Sequence, residues 1–445
     1  MCMKKNEEYI VTCIDDTDLN SGVVKIDDMV VFVPNLLIGE KAKIKIVKVN
    51  KKYAFGIITQ LLEPSINRQE LTCEVAKTCG GCQLQHMKYA YQLDYKYKHV
   101  KKLFEDIEVK PILGMDNPWY YRNKAQFPVK IKDGKVQMGF YRQHSNDVVT
   151  CKECKIQDFT INEIFGFIQK HITIEMAEGL RHIFIRHSST DEIQVVFIGK
   201  NEKNILSLSK LLKNTFSNIT SIVFNYNTRN DNVILGDTYK VLYGNDYIIE
   251  KCLGNKVKLH FKSFFQVNPI QMEVLYNQAI KAANLSGNET CIDMYAGTGT
   301  IGMAVSKHAK SVIGVEIVKE AVDNANDNTK MNYLDHCHYV CQDATDFAHE
   351  HKNDKIDVVF IDPPRKGMTE IGIIDTITMQ PDKIIYVSCN PKTLSRDLKI
   401  FKNYGYQCEY VQPVDMFCQT TGLECVAKLV KIVYFFNNMR PWWNR

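Results

Sequence analysis

No stretch of the sequence approaches the ~18 consecutive apolar residues of a membrane span, the longest greasy run being VVFVPNLLI from Val30 to Ile38. Charge of neither sign dominates: 56 Lys+Arg against 51 Asp+Glu leave +5, which excludes a nonspecific polycation while permitting a local basic patch. With 23 Gly and 12 Pro among 445 residues and no repeat or low-complexity tract, collagen, coiled coil and extended disorder are excluded as its main character. The opening MCMKKNEEYI holds no apolar signal core. A reducing cytoplasm is expected, with no membrane and no obligate protein partner evident.

At 45% hydrophobic and 24% charged, the chain has material for two to four domains of roughly 100 to 200 residues each. Its 15 cysteines would suggest disulfides in a small secreted protein, but here they divide into core, metal and catalytic candidates.

Short apolar runs broken by Asp, Asn and Gly fill Tyr9 to Leu62, and KAKIKIV (Lys41 to Val47) alternates strictly, the period of a half-buried strand with a lysine face. An OB-like β-barrel over residues 1–64 is predicted, of a kind that often binds oligonucleotides. Residues 63–160 then carry 16 Lys/Arg against 12 Asp/Glu, most of the net charge. Tyr89, Tyr91, Tyr95 and Tyr97 stand among Lys88, Lys96, Lys98, Lys101 and Lys102, followed by WYYRNK at Trp119 to Lys124. Such interleaving suits single-stranded nucleic acid, bases stacking on rings and phosphates meeting cations; tyrosines at this spacing also suit a helix packing face.

Cys73, Cys79 and Cys82 lie within ten residues, with Gly80 and Gly81 letting the backbone fold tightly around a bound object. Cys151-x2-Cys154 is the nearest completion, and spacing alone leaves zinc (Cys79, Cys82, Cys151, Cys154) and a 4Fe-4S cluster equally open.

From about Val257 the rhythm becomes strand, helix, strand, helix, predicting a parallel doubly wound sheet. The first strand runs into Tyr295-Ala296-Gly297-Thr298-Gly299-Thr300-Ile301-Gly302, a GxGxxG turn, with Glu316 placed for ribose hydroxyls. Asp343 follows the third strand and Asp362-Pro363-Pro364-Arg365 the fourth, with arginine where methyltransferases acting on exocyclic nitrogen commonly carry an aromatic. The fifth strand ends in Ser388-Cys389-Asn390-Pro391, delivering a thiol to the rim that carries Asp362. Methylating a pyrimidine at C5 needs a nucleophile at C6 and a base for the C5 proton. Cys389 suits the first, and Glu424, in a late loop entering an apolar strand, is a candidate for the second.

CGGCQLQHMKYAYQL, YYRNKAQF, SFFQVNP, DMYAGTGTIG, IDPPRKG, VSCNPKTLSRDL and DMFCQT together resemble, along nearly the whole chain, the bacterial 23S ribosomal RNA (uracil-5-)-methyltransferases. The resemblance implies a TRAM barrel (1–64), a central α+β iron-sulfur and RNA-binding domain (65–255), and a Rossmann-like S-adenosylmethionine-dependent domain (256–432), with a tail (433–445) of unknown role. It implies a 4Fe-4S cluster on Cys73, Cys79, Cys82 and Cys154, with Cys151 outside the pattern. Cofactor contacts are implied at Gln266, Tyr295, Thr300, Glu316, Asp343 and Asp362, beside the turn glycine Gly297, with Cys389 as nucleophile and Glu424 as base. The implied partner is ribosomal RNA presenting a single-stranded or flipped-out uridine. Two rivals remain: transfer RNA uracil methylation, against which the barrel and cysteine cluster argue, and a non-catalytic RNA-binding or redox-sensing protein. Cys418 and Gly422 depart from the proline and histidine many members carry there.

Overall fold

The computed structural model describes residues 3–432, so Trp442, Trp443 and the rest of the tail lie outside the described residues. The chain divides into two compact units. The first comprises Met1–Lys102, Pro111–Val274 and Val414–Leu423; the second comprises Leu103–Lys110, Leu275–Pro413 and the chain from Glu424. No helix among the described residues is long and apolar enough to cross a membrane.

The first unit opens with β1 (Glu8–Thr12), β2 (Asp15–Asp16), β3 (Ser21–Ile26), β4 (Met29–Pro34), β5 (Lys41–Val49) and β6 (Tyr53–Glu63), curled into one sheet of order β1-β5-β6-β4-β3-β2. The alternation of β5 is the reason: Ala42, Ile44 and Ile46 are fully buried with Val24, Val31, Val33 and Ala54, while the intervening lysines face outward. Two of those lysines are paired across strands, Lys41 with Glu63 at 3.0 Å and Lys43 with Glu8 at 2.7 Å.

Helix α1 (Tyr89–Leu103) buries Gln92, Tyr95, Lys96 and Val100, positions three and four apart and therefore on one face. Lys101 and Lys102 close it, favourably for the helix dipole. After β7 (Glu108–Val109), which joins the second unit, comes a seven-stranded sheet. It is made of β8 (Lys124–Lys132), β9 (Lys135–Tyr141), β10 (Val148–Thr150), β11 (Leu180–His187), β12 (Ile193–Gly199), β13 (Ile219–Tyr226) and β14 (Tyr239–Gly244), in the order β10-β9-β8-β11-β12-β13-β14. The central strand β12, IQVVFIG, is buried throughout: Val195 and Phe197 enter one core, with helices α2 (Phe159–His171), α3 (Ile174–Ala177) and α4 (Leu206–Thr215) in that part of the chain, and Val196 and Ile198 enter another. The hairpin β15 (Tyr247–Cys252) and β16 (Asn255–His260) follows, and the second segment of the first unit ends inside helix α5 (Pro269–Ala283).

The second unit is an eight-stranded sheet of β17 (Thr290–Met294), β18 (Ser311–Glu316), β19 (Cys337–Cys341), β20 (Val358–Ile361), β21 (Lys383–Ser388), β22 (Tyr406–Val414), β23 (Glu424–Lys431) and β7. Its order is β19-β18-β17-β20-β21-β23-β22-β7. Strands β19 to β21 run parallel, and β23 inserts antiparallel beside β21. The connections are α6 (Thr300–Ser306), α7 (Lys319–Met331), α8 (Ala344–Glu350), α9 (Glu370–Thr378) and α10 (Pro391–Asn403). The strand order reverses beside β17, and ligands of open α/β sheets bind at the carboxyl ends of the strands at that point. Gly297, Glu316, Asp343, Asp362 and Cys389 all belong to those ends.

Candidate active site

The glycine-rich turn is held by the residues around it. Gly299, in the left-handed region at φ 80°, caps α6, and a Cβ there would come within 2.5 Å of the Tyr339 ring; on β18 a Cβ at Gly314 would stand 1.9 Å from the same ring. Tyr339 is thus packed where side chains have been deleted, and its hydroxyl donates to Gly299 O at 2.8 Å. Sequence reasoning missed this tyrosine, whose only signal was its inward place in the half-buried strand CHYVC. Gly297, at φ 55°, has open space where its Cβ would be. Its N–H donates to Glu316 Oε2 at 3.0 Å, and Val318 N–H to Glu316 Oε1 at 2.9 Å, so the carboxylate is oriented from both sides.

Beneath the turn, Asp293 Oδ2 accepts from Gly302 N–H at 2.8 Å, while its Oδ1 is buried with no partner. Burial, then the charges of Asp362 and Glu316, pushes its carboxyl up to about 7. Tyr295 has a left-handed φ of 63° directly after β17, and Asp343 lies in electrostatic range of it. Asp343 caps α8, accepting from Thr345 N–H at 2.8 Å, and the Thr300 hydroxyl lies 3.1 Å from that of Tyr276. Gln266 is buried between β16 and α5, in the first unit.

At the other end of the crevice, Ser388 pairs with Cys425, which sets Cys389 and Glu424 side by side just past the last rung of the β21/β23 ladder. Burial pushes Asp362 up to about 7; Glu424 is raised well above the ordinary carboxyl value by burial and by Asp362. Cys389 is pushed up to about 11 by burial and by the charges of Glu424 and Asp362, with Arg365 opposing.

The ledge carrying Asp362 is clamped by α10. Asn390 Nδ2 donates to Arg365 O at 3.1 Å, and Arg396 to Lys366 O and Met368 O at 3.1 and 2.9 Å. Buried Asp397 accepts from Met368 N–H at 2.9 Å and from the Tyr386 hydroxyl at 2.7 Å, tying the ledge to the strand that presents Cys389. An acid on the apolar stripe Leu394, Leu398, Phe401 was the readable signal for this clamp.

In the first unit, Cys73, Cys79, Cys82, Cys151 and Cys154 line one cavity of about 60 Å³, together with Arg122. A single water needs only ~10–15 Å³, so this is no packing defect. Gly81 N–H donates to Cys79 Sγ at 3.3 Å. Burial raises Cys79 and pushes Cys82 and Cys154 up to about 12 and about 11, so binding of a metal as thiolates displaces protons. Among the described residues no group of three or more His, Cys, Asp or Glu side chains is arranged to hold a metal ion.

Several residues of the tyrosine–lysine run are committed internally. Tyr95 OH donates to Thr17 O at 2.5 Å and accepts from Asn20 N–H at 2.9 Å, and Lys98 pairs with Asp15 and Asp16 at 2.8 and 2.9 Å. Lys96, buried, donates to Asp415 Oδ1 at 2.5 Å, Phe417 O at 3.1 Å and Gly422 O at 2.8 Å, and Tyr89 OH donates to Asp415 Oδ2 at 2.8 Å. These residues form a packing face that fastens 414–423 to the first unit. By contrast, exposed Phe159 stacks on Tyr120 with ring centroids 3.9 Å apart, and Lys155 lies over the Tyr120 ring.

The doubly wound sheet with an antiparallel strand inserted beside β21, and a glycine-rich turn leading to acids at successive strand ends, define a methyltransferase fold. More narrowly, the chain belongs to the tRNA (Uracil-5-)-methyltransferase family, whose model matches residues 88–432, and a TRAM domain matches residues 5–59. It is an enzyme of the RNA (uracil-5-)-methyltransferase class. An uncharacterized RNA methyltransferase of Bacillus cereus is 41% identical, covering 96% of this chain and 98% of its own. One from Staphylococcus aureus is 40% identical, over 95% and 98%. The structure of a Pyrococcus abyssi tRNA (uracil-54, C5)-methyltransferase in complex with S-adenosyl-L-homocysteine superimposes with a TM-score of 0.73 at 26% identity, covering 95% of this chain and all of that one.

Proposed function

We propose that this enzyme methylates C5 of a specific uridine in 23S ribosomal RNA in the cytoplasm, with S-adenosylmethionine as donor, through a covalent bond between Cys389 Sγ and C6 of the base. The observation that carries the reading is the adjacency of Cys389 and Glu424 at one end of the β21/β23 ladder, on the rim that also carries Asp362. The open space over Gly297 and the unpaired oxygen of Asp293 fit the cofactor. Glu316 and Asp343 would accept from its hydroxyl and amino donors, with Tyr295, Thr300 and Asp362 as further contacts. When bound, S-adenosylmethionine supplies an electrophilic methyl group.

Uracil C5 is not nucleophilic until something adds at C6. Cys389 gives up its proton to solvent and forms the S–C6 bond, leaving an enolate whose C5 can accept the methyl group. Glu424 then removes the C5 proton. The C5–C6 double bond re-forms, and the sulfur of Cys389 is expelled. Burial disfavours the ionised form of Glu424 and so makes it a stronger base once ionised.

In this reading Cys73, Cys79, Cys82 and Cys154 would hold a 4Fe-4S cluster, the supporting observation being that these thiols line one cavity. Bound there, the cluster would staple the 73–82 loop to the segment at Cys154. The exposed Tyr120–Phe159 stack with Lys155 would receive unpaired bases.

Substitution Cys389→Ala tests the mechanism in a methylation assay with tritiated cofactor. Turnover at the wild-type rate would overturn it. Transfer RNA is the second reading, favoured by one observation: the Pyrococcus abyssi enzyme named for transfer RNA aligns over 95% of this chain, so a barrel does not argue against that target. Offering 23S and transfer RNA transcripts side by side separates the two.

A further inference from the structure

Lys124 on β8 and Arg186 on β11 stand opposite each other across the antiparallel pairing of those strands, on the face that also carries Phe184. Both cations lie against that one ring, Lys124 Nζ at 5.1 Å and the Arg186 guanidinium at 5.0 Å from its centroid. They differ in how they are held. Arg186, 1% exposed, donates to Ser263 O at 3.0 Å and to His260 O at 3.4 Å, and Glu250 lies in electrostatic range of it. Lys124 has no acid in range among the described residues; burial, with the like charge of Arg186, pushes its amine down to about 8. The Phe184 ring offers little in return, since Arg186 already covers it. Lys124 is nonetheless partly exposed, so of the two cations it is the one that a ligand can reach.

We propose that Lys124 binds a backbone phosphate of the substrate RNA, with buried Arg186 fixed beside it as a second positive charge. The inference rests on the reading above that RNA is the substrate, whichever RNA is the target. Two cations side by side with no acid at Lys124 are unfavourable in the free protein, and a phosphodiester brings the negative charge they lack. Lys124 donates to a phosphate oxygen, while Arg186, held by two carbonyls, contributes its field without moving. Tyr120, whose ring stacks on exposed Phe159, precedes Lys124 by four residues, at most about 14 Å of chain. One strand can therefore lay a base on that stack and a phosphate at Lys124. Such a contact positions the strand and carries no sequence information.

The full chain is compared as wild type, Lys124→Met, Lys124→Gln and Lys124→Arg. Binding of a 23S transcript, a transfer RNA transcript and a scrambled RNA is read by fluorescence anisotropy over a range of salt concentrations, and melting temperature is read without RNA. Lys124→Met and Lys124→Gln should weaken binding about tenfold at about 0.1 M salt, to the same extent for every RNA that binds, and lower the slope of log affinity against log salt by about 0.7, one phosphate contact on a single strand. Lys124→Arg should keep the wild-type slope. Neither neutral variant should melt below wild type, because each removes an uncompensated cation. A slope unchanged in both neutral variants, or a loss confined to one RNA, overturns the proposal. Melting temperatures that fall in both overturn it too, since the lysine then serves the fold. If inorganic phosphate at matched ionic strength raises the melting temperature of wild type alone while the RNA slope is unchanged, the site takes a free anion and the proposal fails. A wild type that binds none of the RNAs overturns the substrate reading as well; the expected slope change without methylation of 23S RNA overturns the target and leaves the phosphate contact standing.

Discussion

Cys389 and Glu424 leave the sheet at the same end, each one residue past the rung where Ser388 lies opposite Cys425. Strand register alone therefore brings together two residues thirty-five positions apart. In the proposed mechanism the first opens the covalent adduct and the second closes it. Glu424→Gln should then lose turnover yet accumulate a protein–RNA species that migrates slowly on a denaturing gel, because elimination needs the C5 proton removed. Loss of activity with no such species would give Glu424 another role.

Nucleophile and base both act deprotonated, and both are raised above their ordinary values, Cys389 to about 11. A group with a raised value is more protonated at a given pH, so the active ionisation state is reached later. The rate kcat/KM should rise steadily with pH from about 6 to about 9. A plateau already at pH 6 would contradict the buried, mutually repelling arrangement.

Asp293 is a second buried acid, raised from 3.8 to about 7. Its folded-state value lies above its unfolded one, so its contribution is fully favourable below pH 3.8 and is lost as pH rises through 7. At 1.36 kcal/mol per unit the loss amounts to up to about 4 kcal/mol. Asp293→Asn should therefore raise the melting temperature at pH 8 more than at pH 5, while weakening cofactor binding measured by calorimetry. A variant destabilised equally at both pH values would refute this.

Lys96 and Asp415 form a buried ion pair, 1% and 0% exposed. Removing one partner leaves the other uncompensated, so Lys96→Met should cost about 3–5 kcal/mol in urea unfolding. Lys96→Met/Asp415→Asn should recover part of that loss. An effect below about 1 kcal/mol for the single variant would mean the pair is solvated.

Local chemistry wrote much of this protein in its sequence. Strict alternation marked the lysine-faced β5, and the glycine turn after β17, the acids at the ends of β18, β19 and β20 and the cysteine after β21 were all legible as local patterns. The curled N-terminal sheet and the doubly wound sheet are both legible because side-chain period and turn residues act over a few positions. Tertiary structure decided the rest. The antiparallel register that ends at Ser388 and Cys425, one residue short of Cys389 and Glu424, depends on where β23 inserts, and the tie from Asp397 to Met368 and Tyr386 joins three separate segments. The assignment of 414–423 to the first unit depends on bonds from Lys96, Gln92 and Tyr89, more than three hundred residues upstream. Of the α1 residues that suited either an RNA-facing stripe or a packing face, Tyr95 and Lys96 turn inward, and Lys96 donates to buried Asp415 and its neighbouring carbonyls. Composition and spacing determine which groups are present; only the folded chain determines which of them meet.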